Sequence, residues 1–198
     1  AAVAAGAPPP GAGCVLVSTE IPGDAVAAAV RAAGRCVLNP APVIDVVTEL
    51  LDAGPILTPN RSECLDLAAR LGRRAGGRAG GRVSAGPPVP GVAPEVLDAA
   101  RRLGACTGAP VVVTLGADGA LVLDEEGAGV LVAAGAVPVV RDTTGAGDTF
   151  NGVLAARLAA GDPLETAVRT AVVAASLSVG EVGARAGMPT AAAVAAAR

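Results

Sequence analysis

Short apolar segments alternate with longer Ala-rich segments over the first third of the chain, and this alternation predicts strands followed by helices. Gly34 is expected to cap the first of these helices at its C-terminus. Short connections between alternating elements imply a parallel sheet with helices on its faces. The predicted strands cover 14–18, 35–38 and 56–57, and the predicted helices cover 23–34 and 43–51.

The rest of the chain predicts a hairpin and further helices around one glycine-rich turn. An apolar run from Val137 to Val140 predicts a strand directly before that turn, and a helical pattern follows it to Ala160. Residues 120–123 and 129–132 are expected to pair as antiparallel strands. The other predicted elements are a helix over 95–103, a strand over 110–114, a helix over 164–179 and a C-terminal Ala-rich helix.

Composition limits the functions open to this chain of 198 residues, whose length favours one domain. The net charge of −3 argues against a nucleic-acid or anionic-membrane partner. There is no His, which excludes a Ser-His-Asp mechanism and any His-containing zinc site. There is no Lys either, so a Walker A lysine is excluded. No apolar run is long enough to predict a transmembrane helix, and a cytoplasmic location is expected.

Four cysteines and two low-complexity stretches complete the description of the chain. Residues 1–13 are interpreted as a flexible linker, and residues 73–94 as a flexible insertion within a domain over 14–198. No cysteine belongs to a C-x-x-C pair, and each lies in or beside an apolar segment. Buried free thiols are therefore expected at Cys14, Cys36, Cys64 and Cys106.

The glycine-rich turn spans Asp142 to Gly152 and carries the clearest chemistry in the sequence. Gly145 and Gly147 leave backbone N–H groups unshielded, and a helix that begins there adds unpaired donors suited to a phosphate. Asp148 would repel a phosphate ligand, but it could act as a base that takes a proton from an attacking hydroxyl. The structural alternative stays open at this point, because Asp is also common in the first turn of helices.

The whole string resembles the D-T-x-G-A-G-D-x-F-x-G signature of the ribokinase-like (PfkB) carbohydrate kinases. The resemblance implies a three-layer α/β fold with a mainly parallel sheet and ATP-dependent phosphorylation of a sugar hydroxyl. Ribose is the preferred acceptor, with fructose and nucleosides left open. In that family the turn amides form an anion hole for the transferred phosphoryl group, here Gly145, Ala146 and Gly147. The last Asp of the motif is the catalytic base, and it also contacts substrate and nucleotide, here Asp148.

Two other segments resemble nucleotide and substrate elements of the same family. Asn60 and Glu63 match its N-x-x-E motif, which implies a nucleotide contact for Asn60 and a Mg²⁺ site at Glu63. By itself this spacing equally indicates a helix N-cap with a capping box. Glu20, at the end of the first strand, matches an acid that binds a substrate hydroxyl, although it also reads as a solvated loop residue. The nucleotide-binding loop is matched by Thr114, Leu115, Gly116, Ala117, Asp118 and Gly119, and Gly147 and Asp148 complete the nucleotide contacts.

The resemblance also implies a monovalent-cation site, for which K⁺ is the candidate ion. Gly187 departs from the family pattern, in which a Ser often supplies a side-chain oxygen, so K⁺ dependence is left open. Val172 stands where a polar residue often lies beside the adenine, which implies weaker contacts with the base. The cation ligands implied by position are Asp142, Thr144, Ser178, Glu181, Gly183 and Gly187.

The resemblance covers only the C-terminal part of the family's chain. The N-terminal strands, the lid and most of the sugar-binding residues have no counterpart before Cys14. Two hypotheses follow, a fragment of a sugar kinase or a natural half-protein, and both predict an exposed sheet edge with weak stability. A small-molecule sugar and ATP are the expected partners, and a homodimer is left open. The alternative function is a non-catalytic nucleotide-binding or interaction module, whereas a dinucleotide-binding dehydrogenase is excluded by the missing G-x-G-x-x-G.

Overall fold

The computed structural model describes residues 13–74, 86–137 and 139–197, and its centre is one six-stranded sheet. The strands lie side by side in chain order. The first four are mutually parallel, and the last two continue the sheet as an antiparallel hairpin. The strands are β1 (Val15–Ser18), β2 (Cys36–Asn39), β3 (Ile56–Leu57), β4 (Val111–Thr114), β5 (Ala120–Leu123) and β6 (Gly129–Val132).

Six α-helices cover the two faces of this sheet and confirm the predicted three-layer architecture. Alternate strand residues face opposite layers, so that Leu38 packs with the first helical layer and Val37 with the second. The first layer contains α1 (Gly23–Ala32), α2 (Arg61–Arg74) and α3 (Pro94–Thr107), and the second contains α4 (Ala146–Ala159) and α5 (Leu164–Ser178), which contacts the short α6 (Ala191–Ala196).

The interior of β4 is apolar because both faces of the sheet are covered. Val111, Val112 and Val113 of β4 are completely buried, which agrees with the continuous apolar runs expected of parallel strands. The antiparallel hairpin of β5 and β6 has the boundaries predicted from the sequence.

Two predicted helix features in the first third of the chain are wrong. Helix α1 ends at Ala32, and Ala33 caps it in an extended conformation (φ −82°, ψ 132°), so Gly34 is not a left-handed cap. The helix predicted over 43–51 is absent. Two 3₁₀ turns, Asp45–Glu49 and Leu51–Ala53, replace it. This segment is rich in β-branched residues, which disfavour an α-helix, and the extended conformation of Ile44 delays its start.

The predicted strand before the glycine-rich turn is also wrong. Residues 137, 139 and 140 form no strand, and the side chains of Val139 and Val140 are about 60% and 59% exposed. The chain is held instead at Arg141, whose N–H donates to the Val179 carbonyl at the end of α5 (2.8 Å). The residues just before the glycine-rich turn are therefore fixed at the end of α5 and do not join the sheet.

The insertion predicted over 73–94 is too wide at both ends. Helix α2 continues to Arg74, and Val89 is buried in the core against the first helical layer. Residues 75–85, like the predicted linker up to residue 12, lie outside the described residues.

Arg101 of α3 fixes the chain that re-enters the fold after residue 85. Its guanidinium is buried and donates to three carbonyl oxygens, those of Gly86 (3.1 Å), Pro87 (2.6 Å) and Gly127 (3.3 Å). Five N–H donors in a rigid fork allow one arginine to satisfy several carbonyls at once. Arg101 thereby connects α3 with residues 86–87 and with the turn between β5 and β6.

All four cysteines are free thiols, as predicted, but they are not all buried. Cys36 and Cys64 are buried, and burial raises the pKa of each thiol to about 12. Cys14 is half-buried and Cys106 is exposed, so the prediction of burial is wrong for Cys106. In the ranges that the structure describes, no helix has both the length and the hydropathy needed to cross a membrane.

Candidate functional site

The glycine-rich turn places three backbone amides at the start of α4. Gly145 is the N-cap residue and has a φ of +80°, a conformation that favours glycine. The Ala146 N–H donates to the Thr143 carbonyl (3.2 Å), whereas the N–H groups of Gly145 and Gly147 have no acceptor among the described residues. The turn thus presents two unpaired donors, and the third is held by a bond that an incoming anion has to replace.

Asp148 stands in the first turn of α4 with an exposed carboxylate. It makes no hydrogen bond or ion pair with any part of the chain that the structure describes. A free carboxylate beside unpaired amide donors can accept a proton while the amides stabilise negative charge nearby. This is the arrangement that the glycine-rich motif predicts.

A cavity of about 790 Å³ opens beside this turn, large enough for a nucleotide. It lies between the end of β4, the segment after β6, the start of α4 and the C-terminal half of α5. The sequence-predicted residues that line it are Asn60, Thr114, Gly116, Ala117, Gly119, Ala146, Gly147 and Val172.

Several predicted site residues do not line this cavity. Leu115 is buried, and Asp118 forms an exposed ion pair with Arg61 at 3.0 Å. Glu20 is exposed at the end of β1 and accepts a hydrogen bond from the Ser18 hydroxyl (3.3 Å). Gly145, Glu63 and Asp148 are likewise outside the lining, although Gly145 and Asp148 directly flank residues that belong to it.

Gly119 allows the chain after β6 to form one wall of the cavity. Its φ is +97°, and a Cβ at this position would overlap the Val132 carbonyl and approach the Ala134 nitrogen to 2.6 Å. The backbone of residues 132–134 therefore passes directly over Gly119 and continues as the cavity wall at 134–137.

Asn60 and Glu63 form a capping box at the start of α2. The Glu63 N–H donates to Asn60 Oδ1 (3.0 Å), and the Asn60 N–H donates to Glu63 Oε2 (2.8 Å). Burial raises the pKa of Glu63, and the hydrogen bonds with Asn60 oppose this effect. The structural interpretation of this motif is thus confirmed, and it leaves Glu63 Oε1 without a hydrogen bond to the described residues.

The Asp142 carboxylate joins the glycine-rich turn to the loop after α5. Its Oδ1 accepts the Thr144 N–H (2.8 Å) and its Oδ2 accepts the Gly183 N–H (2.8 Å). The hydrogen bonds from Thr144 lower the pKa of Asp142 most, and the hydrogen bond from Gly183 lowers it further. The same loop packs against the turn, because a Cβ on Gly145 would lie 2.7 Å from the Ala184 Cβ.

The residues predicted to bind a monovalent cation gather only in part. The Ser178 carbonyl faces Gly187, where an added Cβ would lie 2.5 Å from it, and the Gly183 carbonyl accepts the Gly187 N–H (2.9 Å). Glu181 is turned away and pairs with Arg141 at the surface (3.8 Å). Within 13–74, 86–137 and 139–197, no group of three or more acidic, Cys or His side chains is arranged to hold a metal.

The remaining cavity residues were not predicted from the sequence. Phe150 belongs to the motif itself, and Ala175 and Ser176 of α5 and Val179 at its C-cap follow Val172 at helical spacing. That spacing was the available signal, since one face of a helix meets one surface. Thr143, like Phe150, belongs to the motif, whereas the segment after β6 gave no such signal; the lining residues there are Ala134, Gly135, Ala136, Val137 and Val140.

A smaller groove of about 380 Å³ adjoins the cavity on the side of α2. It shares Asn60, Thr114 and Gly116 with the cavity. Arg61, Ser62, Leu65 and Leu115 complete its lining.

Comparisons with known proteins agree on one family. Residues 12–191 match the model of the pfkB family carbohydrate kinases. The ribokinase of Lactococcus lactis subsp. lactis is 32% identical over 180 residues, which are 88% of this chain and 50% of that protein. The chain therefore spans about half the length of the curated relatives it matches.

Solved structures give the same result for the fold. A ribokinase from Thermotoga maritima matches with a TM-score of 0.76 and 26% identity over 93% of this chain and 56% of that chain. A ribokinase of Arabidopsis thaliana, complexed with ribose and ATP, matches with a TM-score of 0.74 and 28% identity over 93% of this chain and 55% of that chain.

Proposed function

Since the chain belongs to the pfkB family of carbohydrate kinases, we propose that its cavity binds ATP and that the start of α4 transfers the γ-phosphoryl group to a sugar hydroxyl. Ribose is the preferred acceptor, supported by the ribokinases among the relatives and by the Arabidopsis ribokinase complexed with ribose and ATP. Acceptor choice is proposed for the whole protein, because the chain spans about half of these relatives.

One observation supports this function more than any other. The first turn of α4 and the loop after β4 open into the same cavity, so that Gly147 and Gly116 line one space. A nucleotide in that space has unpaired amide donors at one end and the apolar side chains of Phe150, Val172 and Val179 elsewhere. Apolar walls with a few placed polar groups are typical of nucleotide and cofactor sites.

In the proposed reaction, Asp148 takes the proton from the sugar hydroxyl while the oxygen of that hydroxyl attacks the γ-phosphorus. The bond from that phosphorus to the bridging oxygen of ADP breaks in the same step. The amides of Gly145, Ala146 and Gly147 are proposed to stabilise the charge on the phosphoryl oxygens, with the Ala146 N–H exchanging the Thr143 carbonyl for the ligand.

Nucleotide contacts are proposed for Asn60 and for Thr114 to Gly119. The lining of the cavity supports Asn60, Thr114, Gly116, Ala117 and Gly119. For Asp118 and Leu115 a contact through the side chain has less support, since the Asp118 carboxylate is ion-paired with Arg61 and Leu115 is buried.

Mg²⁺ is proposed to bind with the phosphates near Glu63. One free carboxylate oxygen suits Mg²⁺, which usually keeps several waters and takes one or two protein carboxylates together with phosphates. The ion would supply positive charge to the phosphates.

The monovalent-cation site around Asp142, Ser178, Gly183 and Gly187 is proposed on weaker support, and a comparison of activity in K⁺ and Na⁺ tests it.

The deciding experiment measures ATP-dependent phosphorylation of ribose by this chain, by its Asp148→Asn variant and by a matched Asp52→Asn control. Asp52 is an exposed carboxylate in a 3₁₀ turn and lines neither the cavity nor the groove. Asp148→Asn is expected to lower turnover by about 10²–10⁴-fold with ATP binding retained, because only proton transfer is removed. The control is expected to match the wild type.

Three results would count against the proposal. Turnover that survives Asp148→Asn unchanged would exclude Asp148 as the base. Binding of Mg-ATP without turnover by the wild type would favour the non-catalytic nucleotide-binding module instead, and absence of nucleotide binding would overturn both.

A further inference from the structure

We propose that Arg61 binds the phosphate groups of the nucleotide, and that Asp118 holds its guanidinium while no nucleotide is bound. This inference rests on the proposed ATP binding and adds a residue that the family motif does not specify, since Arg61 follows the motif asparagine. Arg61 lines the groove that adjoins the main cavity, and the two spaces share Asn60, Thr114 and Gly116.

The charges around the two spaces single out this residue. Among residues 13–74, 86–137 and 139–197, no charged side chain lines the main cavity, and Arg61 is the one charged residue in the lining of the groove. A nucleotide di- or triphosphate carries several negative charges, which partial charges on backbone amides balance only in part. Arg61 provides a full positive charge at the rim, and its planar guanidinium suits bidentate contact with phosphate oxygens.

The present position of Arg61 is held by an interaction that a polyphosphate can replace. Its guanidinium lies 3.0 Å from Asp118 Oδ2, and the side chains of the pair are 48% and 60% exposed. Exposed ion pairs of this kind contribute little, because water and salt screen them. Arg61 also stands in the first turn of α2, where the helix dipole disfavours a cation, so helix stability does not explain its presence.

The ion pair connects the two elements that flank the groove. Arg61 begins α2, and Asp118 lies in the 3₁₀ turn Gly116–Asp118 that follows β4. When phosphate replaces Asp118 as the partner of Arg61, the turn is released from α2. Binding of the nucleotide is therefore expected to replace the ion pair between Arg61 and Asp118 by a stronger one between Arg61 and phosphate. Asp118 thus competes with the nucleotide for Arg61.

The test measures dissociation constants of ATP, ADP and adenosine for the wild type and for Arg61→Gln, Asp118→Asn and the double variant. Arg61→Gln is expected to weaken ATP and ADP by about five-fold or more, with adenosine unchanged. Asp118→Asn is expected to tighten ATP and ADP by about two-fold or more, and this gain should vanish when Arg61 is already Gln. Arg70→Gln is the matched control. Arg70 also lies on α2, pairs with Asp45 and with Asp66, and lines neither the cavity nor the groove.

The outcomes separate this inference from the proposed function. Tight ATP binding that Arg61→Gln leaves unchanged overturns the role of Arg61 and leaves ATP binding intact. An equal loss of adenosine binding also overturns it, because the substitution then acts through structure and not through phosphate. If the wild type binds neither ATP nor ADP, the proposed function fails, and the inference fails with it.

Discussion

Gly145 is the residue at which backbone geometry and packing restrict the site most. Its φ of +80° costs an L-residue about 1–2 kcal/mol, and an added Cβ would meet Ala184 at 2.7 Å. Gly145→Ala is therefore expected to lower the free energy of unfolding by about 2 kcal/mol or more and to displace the amides at the start of α4. Urea denaturation measures the first effect and ATP titration the second.

Gly152→Ala is the matched control for that substitution. Gly152 lies within α4, and a Cβ added there would meet no atom within 4 Å. Gly152→Ala should therefore raise the free energy of unfolding by about 0.5–1 kcal/mol, because Ala has the higher helix propensity. Equal losses in both variants would mean that the Ala184 contact and the dihedral of Gly145 are unimportant.

Asp142 gives the site a dependence on pH. Hydrogen bonds lower its pKa in the folded protein, so its contribution to stability is complete above the ordinary Asp value near pH 4 and is lost as pH falls through the lowered value. Asp142→Asn keeps only one of the two oxygens that accept the Thr144 and Gly183 N–H groups, so it is expected to be less stable than the wild type at pH 7. The difference in unfolding midpoint should shrink below about pH 4, and a difference that grows toward low pH would contradict this.

At the scale of single residues, short sequence motifs named several residues that the structure brings to one cavity. Asn60, Thr114, Gly116 and Gly147 line the cavity, as their positions in short motifs imply. Asp118 was assigned to the nucleotide site by position in the loop, but its side chain points to Arg61. Such a pairing between residues 57 positions apart follows from tertiary contacts, which a local motif does not contain.

At the scale of elements, two substitutions in the capping box of α2 can separate a structural role of Glu63 from a metal-binding role. Glu63→Gln keeps an acceptor for the Asn60 N–H, whereas Glu63→Ala removes it. The Ala variant is expected to lose about 1 kcal/mol of stability and the Gln variant less. If Glu63 also holds Mg²⁺, both variants lose turnover with Mg-ATP. Full turnover in Glu63→Gln would leave the capping role alone.

Elements that several sequence features indicate together were predicted correctly, whereas elements indicated by apolar spacing or hydropathy alone were not. The hairpin of β5 and β6 combines two apolar strands with a Gly-containing turn, and its boundaries are correct. The segment 43–51 offered only apolar spacing, and its β-branched residues adopt 3₁₀ turns. The run 137–140 offered only hydropathy, which does not distinguish a strand from an irregular segment.

At the scale of the whole molecule, the edge of the sheet at β1 is the expected site of self-association. In the ranges that the structure describes, β1 pairs with β2 alone, and Leu16 and Ile21 are exposed beside it. Leu16→Lys is expected to reduce concentration-dependent association, since a charge on an edge strand opposes pairing between copies. Light scattering over a concentration series measures this, with the thermal midpoint nearly unchanged.

Leu177→Lys is the comparison variant, because Leu177 is 38% exposed on α5 and Leu16 is 40% exposed. If both substitutions reduce association equally, general surface charge is the cause and the edge of β1 is not.

The layered architecture was the most predictable property of the molecule. Alternating short apolar strands and amphipathic helices already require a sheet covered on both faces, and Val37 and Leu38 show how one strand serves both layers. The cavity was less predictable, because one of its walls is irregular chain held over Gly119 by a backbone contact.

The arrangement around Arg101 has a practical consequence for engineering. Helix α2 fixes the chain up to residue 74, and the three carbonyl contacts of Arg101 fix it again from Gly86. Both flanks are therefore anchored to α3 and the core by their own interactions. A fluorescent reporter domain spliced between residues 74 and 86 should leave the cavity beside α4 intact, and it would convert this chain into a genetically encoded sensor of its own ligand.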